Sequence, residues 1–327
     1  MNGATVAALI AGRMSAFLAV REAFGTAAPG RTKVAGKTAA TRMRHARPPR
    51  AGNRASYHQP IVTPPMKLDV SAAAAAWPQR DHLFRSGVVL LALVPLLAAL
   101  AGLDDRSVFG QSPWSKPVRF ALSLGVYGIT MALAAQWLLA RTRVPGWRLL
   151  SPVLLGTLVF EITWITVQAA RGVDSHFNER TAFEGLMFSL MGLGASIMSL
   201  AVVWLALVAG RLALAASATR DRLISLGIAL GFAGSGLLLP WTGEALVDAG
   251  RSQSAVEAAM TLPLLGWRLD GSDPRPAHFV AAHLMQALPL AAVWLARASR
   301  PARQGVPVGV LVALTAGGVL LTMSLMP

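Results

Sequence analysis

Residues 86–103 read SGVVLLALVPLLAALAGL, a stretch with no charged side chain. Six further apolar runs, each with at most one charged residue, follow at about 117–139, 149–170, 183–209, 223–246, 277–296 and 307–326. At a rise of ~1.5 Å per residue, such a run crosses a hydrocarbon layer of ~30 Å. Inside that layer each backbone N–H and C=O must be bonded within the chain, so a run this long folds as a helix. The fold expected is all-α, a polytopic transmembrane bundle of about seven spans. Composition agrees: 14% of the residues are charged, against about 25% in a soluble chain. The absence of cysteine removes disulfides, thiolate nucleophiles and cysteine-based zinc sites.

The net charge of +15 is unevenly spread. Residues 1–65 hold ten Lys or Arg against the single acid Glu22, and six prolines. That composition buries no core and reads as a disordered basic tail. Three readings of it stay open. It is a cytoplasmic tail that meets anionic lipid or nucleic acid, an Arg-rich targeting peptide, or an extension ahead of a true start at Met66. Basic residues alone do not specify nucleic acid, and none is expected as a partner. Residues 66–327 form the transmembrane domain, with the lipid bilayer as its partner.

Orientation follows from Lys/Arg bias in the short loops. The loop after the second span has Arg141, Arg143 and Arg148 and no acid. The loop after the fourth has Arg211, Arg220 and Arg222 against Asp221, and the loop after the sixth has Arg297, Arg300 and Arg303. The alternate loops are balanced in charge. The pattern puts the N-terminus inside and the C-terminus outside. The motifs WSKPVRF (114–120), QAARGVDSHFN (168–178) and SDPRPAHFVAAH (272–283) then share the outer side.

The third span carries the polar stripe of most interest. Glu161 and Gln168 are seven residues apart, so they lie within about 20° on a helix, with Trp164 and Arg171 to one side. Glu161 sits ten residues before Arg171, roughly 15 Å deeper. A carboxylate at that depth costs several kcal/mol unless paired, hydrated or protonated. The sixth span offers His278, His283 and Gln286 on an arc of about 140°. Lys116 and Arg119 open the second span, where they could neutralise an anion or snorkel to the interface beside Trp114. The expected arrangement is an outward-facing polar cavity that binds or moves a small solute or protons.

Two other chemistries remain in view. Histidines from different helices, such as His176 with His278 or His283, could hold haem b, or the bundle could hold a quinone. The same three histidines could ligate a hydrolytic metal. His278 and His283 are five residues apart, a poor spacing for one ion on an ideal helix, and HExxH and glycine-rich phosphate loops are absent. Ser235 in GFAGSG has the look of a serine nucleophile. Its four-residue spacing from Gly231 and Gly227 instead marks a close helix-packing face.

Taken together, W114-S-K-P-V-R-F120, QAARGVDSHFN and the segment from Gly271 to Pro289 resemble a group of bacterial multi-pass membrane proteins of unknown function. In that group a WxKPxxF element opens one helix, a QxxRGxxSHFN element closes another and an HFxxxHxxQ element opens a later one. The resemblance covers roughly residues 85–295. It picks out Lys116, Pro117, Gln168, Arg171, Gly172, Ser175, His176, Asn178, His278, His283 and Gln286, and it implies an architecture rather than an activity.

Overall fold

The computed structural model of the protein describes residues 81–108, 110–252, 267–268, 272–298 and 305–327. The basic segment 1–65 and the start expected at Met66 lie outside the described residues. Seven helices in the described chain are long and apolar enough to cross a membrane. They are α1 (His82–Leu103), α2 (Ser115–Leu139), α3 (Trp147–Arg171), α4 (Ala182–Ala215), α5 (Thr219–Ser252), α6 (Arg275–Ala298) and α7 (Gly305–Ser324). Their outward faces stay apolar, as at Val89, Leu96, Leu193, Leu290 and Leu320, all more than half exposed. In water that surface would aggregate; in lipid it is the solvated face.

Capping fixes where several helices start. The Asp81 carboxylate accepts the Leu83 and Phe84 N–H groups (2.9 and 3.3 Å) to open α1. Asp273 accepts the Arg275 N–H (2.9 Å) at the start of α6, close to the cap that the Asp-Pro pair predicts. α3 ends in a Schellman turn. Gly172, at φ 68°, closes it, with its own N–H on the Ala169 carbonyl and the Val173 N–H on Gln168.

Small residues let the helices approach. A Cβ at Gly87 of α1 would sit 2.7 Å from the Gly125 carbonyl oxygen of α2. α5 packs on α6 through the stripe that the sequence marks. A Cβ at Gly231 would meet the Leu284 carbonyl at 2.6 Å, and one at Gly227 would run into the Ala292 Cβ. Ser235 completes the stripe. Its hydroxyl donates to the Ala281 carbonyl (2.7 Å) and accepts the Met285 N–H (3.0 Å), so it is a packing residue. The core runs through α1 to α5, around Leu83, Met131, Leu158, Leu205 and Phe232, each fully buried.

Polar staples tie the two ends of the bundle. At one end Arg141 pairs with Asp221 (3.1 Å) and lies over the Trp137 ring, while Gln136 donates to Asp81 (3.1 Å). At the other end the α1–α2 connection meets α3. Arg106 binds Asp104 and donates to the Ala170 carbonyl (3.0 Å), and Trp114 donates to Asp104 (2.7 Å). Arg106, followed by Trp114, holds the Asp104 carboxyl well below the usual carboxylate range. This second end, called the motif end below, carries WSKPVRF and QAARGVDSHFN.

Candidate functional site

QAARGVDSHFN folds as a knotted turn between α3 and α4. Gln168 and Asn178 both donate to the Asp174 carbonyl (3.3 and 3.2 Å), and Trp164 donates to the Ser175 carbonyl (3.3 Å). Gln168, Ser175 and Asn178 are buried. A buried amide must find partners, and here the partners are the backbone of the turn itself. Phe177 adopts a left-handed φ of 59°, which costs a bulky residue of order 1 kcal/mol. Ring packing on Phe188 of α4 (5.1 Å) holds it there. Gly172 has a second reason to be glycine: a Cβ on it would lie 3.1 Å from the Arg106 guanidinium.

Arg171 is not a bare cation at the rim. It pairs with Glu184 of α4 (2.9 Å) and donates to the Gln168 side-chain oxygen (2.6 Å). Glu184 is buried and also accepts from the Thr181 hydroxyl (3.3 Å), while Thr181 caps the Glu184 N–H (3.2 Å). The charge of Arg171 is thus met within the protein by Glu184, while its side chain stays half exposed. The residue that meets it was readable. T181-A-F-E184 is the T-x-x-E signature of a capped helix start.

Beneath this turn lies a second group of charges. Lys116, one residue into α2, is within electrostatic reach of Asp174, Arg119 and Glu161. It forms no hydrogen bond and no ion pair among the described residues. Arg119 donates to the Gln111 side-chain oxygen (3.3 Å) and feels Arg275 of α6. Glu161 is 5% exposed and accepts no hydrogen bond from any described residue. Its carboxylate rests against Gly194 of α4; a Cβ there would be 2.9 Å from Oε1 and 3.0 Å from Thr157. A larger residue at 194 would take the space the carboxylate occupies.

Two loop groups face the same cluster. Burial raises the pKa of Asp174, against the opposing pull of Lys116 and Arg180. His176 is boxed by Phe120 (5.5 Å), Phe177 (6.3 Å) and Phe188 (6.1 Å), with Nδ1 at 3.1 Å from the Ser175 hydroxyl. Burial first, and then Lys116, push its pKa well below the ordinary histidine value. His176 is thus a neutral ring around neutral pH.

WSKPVRF and QAARGVDSHFN therefore lie together, with Phe120 against His176, whereas the third motif brings Arg275 to their edge. That guanidinium is bound to buried Asp273 (2.6 Å). His278 bonds Thr242 of α5 (3.0 Å). His283 places Nδ1 on the Phe279 carbonyl (2.7 Å) and stacks on the Phe279 ring (3.9 Å). Gln286 donates to Thr130 of α2 (3.2 Å) and leaves its own buried oxygen unbonded. No hydrogen bond or ring contact joins His176 to His278 or His283 among the described residues. Among those residues no three His, Asp or Glu side chains are placed to share a metal ion.

The charged groups gather as a packed cluster. A groove of about 570 Å³ runs along α3, but its lining is apolar, including Val159, Phe160 and Val167, and Glu161 is not part of it. No family model, curated protein or solved structure matches the chain.

Proposed function

We propose that this multi-pass membrane protein exchanges protons or a small solute through its motif-end cluster, with Glu161 as the proton-carrying group. One observation carries the reading. Glu161 lies about ten residues into the span, buried, with no hydrogen-bond donor and with its nearest cation out of contact. A carboxylate so placed is costly when ionised, and its charge depends on how near the cation comes. A merely structural polar residue finds a permanent partner, as Gln168 and Ser235 do.

The Lys/Arg bias of the short loops supports an N-terminus in the cytoplasm and a motif end on the outer face, and the resemblance of the three motifs supports a bacterial inner membrane. No catalytic step is assigned. The haem alternative needs His176 beside His278 or His283 and the hydrolytic one needs all three, and no contact among the described residues favours either.

The test is proton flux in proteoliposomes containing the full chain, wild type against Glu161→Gln. Loss of flux, with helix content and thermal unfolding preserved, is expected. Unchanged flux removes Glu161 from the mechanism.

A further inference from the structure

The two ends of the bundle treat their arginines differently. At the motif end Arg106, Arg171 and Arg275 are each held by a carboxylate. At the opposite end the connection from α2 to α3 reads ARTRVPGWR over 140–148, with three arginines and no acid. Arg141 is met by Asp221. Arg143 and Arg148 are exposed, and their guanidinium groups form no hydrogen bond or ion pair among the described residues. The loop that carries them is held in place, because the Trp204 indole of α4 donates to the Pro145 carbonyl (3.2 Å). Two positive charges therefore stand on a fixed loop with no counter-charge from the described protein.

The apolar groove on α3 begins next to this loop. Its lining runs from Pro152 to Val167, about fifteen residues or ~22 Å of helix. Arg148 is one turn before Pro152 and lies within about 40° of Pro152, Leu155 and Val159 around the helix, so it stands on the groove face. Side chains on a helix lean towards its N-terminus, which carries this guanidinium out of the apolar layer to the level of lipid phosphates. At the far end Trp164, part of the lining, packs edge-on against Phe183 of α4 (5.8 Å). Gly156 also lines the groove, and a Cβ on it would meet nothing within 4 Å. Gly87 and Gly231 are glycine because another helix presses on them; Gly156 has no such neighbour, and its missing side chain deepens the groove.

An apolar groove alone would suit many occupants. Its length and the charge at its end narrow them to one. One leaflet contributes about 15 Å to a ~30 Å hydrocarbon core, so a lipid acyl chain fits along the groove. Unmatched guanidinium groups bind phosphate oxygens well and favour a headgroup of net negative charge. A zwitterionic headgroup brings its own ammonium, for which the α2–α3 loop holds no carboxylate.

We propose that the α3 groove and Arg148, with Arg143 of the same loop, form a binding site for one anionic phospholipid. An acyl chain lies along the groove from Pro152, and the headgroup phosphate accepts hydrogen bonds from the Arg148 guanidinium. The site does not involve Glu161, so it stands or falls apart from the proton reading.

The experiment titrates the full chain in detergent with phosphatidylglycerol and, separately, with phosphatidylcholine of the same acyl chains. Native mass spectrometry counts the lipid retained and gives each Kd. Wild type is expected to hold one phosphatidylglycerol with a Kd at least about tenfold below that for phosphatidylcholine. Arg148→Gln should bring the two lipids within about threefold of each other, and Arg148→Lys, which keeps the charge, should retain a preference for phosphatidylglycerol. Gly156→Leu fills the groove without a clash at its Cβ; it should weaken both lipids about tenfold, with helix content by circular dichroism unchanged. Glycerophosphoglycerol, the headgroup without its chains, should not bind measurably.

Four results overturn the proposal: equal affinity of wild type for the two lipids, an unchanged preference in Arg148→Gln, unchanged binding of both lipids in Gly156→Leu, or free headgroup that binds as tightly as the lipid. If Gly156→Leu turns a dimer into a monomer while lipid retention is unchanged, the groove is an interface between copies and the lipid site falls. Glu161→Gln should leave lipid binding as in wild type, so failure of the flux test leaves these outcomes untouched.

Discussion

Replacing Gly231 by alanine tests the packing on which the bundle depends. The added Cβ would lie 2.6 Å from the Leu284 carbonyl oxygen, 3.0 Å from the Pro289 ring and 3.2 Å from the Leu288 Cβ. None of these is the free end of a flexible chain, and ordinary contact needs about 3.5–4.0 Å. α5 and α6 must therefore part by roughly 1 Å at that level. Overpacking of this sort costs about 1–3 kcal/mol. In a soluble helix, alanine would recover up to about 1 kcal/mol of propensity. In a membrane the dissociated state keeps its helices, so little is recovered. The control is Gly192→Ala on α4, where a Cβ has nothing within 4 Å; it should stay within about 0.5 kcal/mol of wild type. Unfolding in mixed micelles by SDS titration, followed by circular dichroism, reads both variants. Equal stability of Gly231→Ala and Gly192→Ala would refute the close α5–α6 seam.

Two further outcomes follow from the motif end. Glu184→Gln should cost no more than about 1 kcal/mol, because Arg171 is half exposed and solvent screens the pair. Thermal unfolding at low and high salt checks it: wild type should lose stability with salt more than the variant does. His176 is held neutral in the folded state, so its folded pKa lies below the unfolded value of about 6.5. The unfolded chain then binds more protons in that window, and the contribution of His176 is full above about pH 6.5 and is lost as pH falls through the depressed folded pKa. Asp273, whose pKa is lowered, has the same sign at lower pH; Asp174, whose pKa is raised, has the opposite one. Melting temperature against pH for His176→Phe should be flatter than wild type below about pH 6.5. An identical slope would show that the ring is not buried as described.

The spans were legible because hydrocarbon imposes one rule on all of them. Where the reading fell short, the reason is visible. The fourth and fifth runs, expected over 183–209 and 223–246, are helices of 34 residues each. That is about 51 Å, well beyond a hydrocarbon core of ~30 Å. The extra turns hold Arg211, Arg220, Asp221, Arg222 and Asp248. Hydropathy reports the lipid-facing part of a helix, whereas hydrogen bonding carries the helix on into water. The Gly227, Gly231 and Ser235 stripe was legible for a related reason, since only close packing needs small residues at that spacing.

The site divides along the same line between local and non-local information. Seven-residue spacing placed Glu161 and Gln168 on one flank of α3, and both are buried. Their partners then diverge. Gln168 bonds within its own turn and pairs with Arg171, all inside a few residues of sequence. Glu161 rests against Gly194 and lies within electrostatic reach of Lys116, which come from two other helices. No periodicity could name those neighbours. Nor could topology say that His278 would turn to Thr242 and leave the cluster, because a shared side of the membrane is not a contact. The difference bears on function. Residues satisfied locally hold the turn in shape whatever the protein does. Glu161 alone on that stripe is buried without a bonding partner, and a carboxyl group kept in that condition has a protonation state left to change.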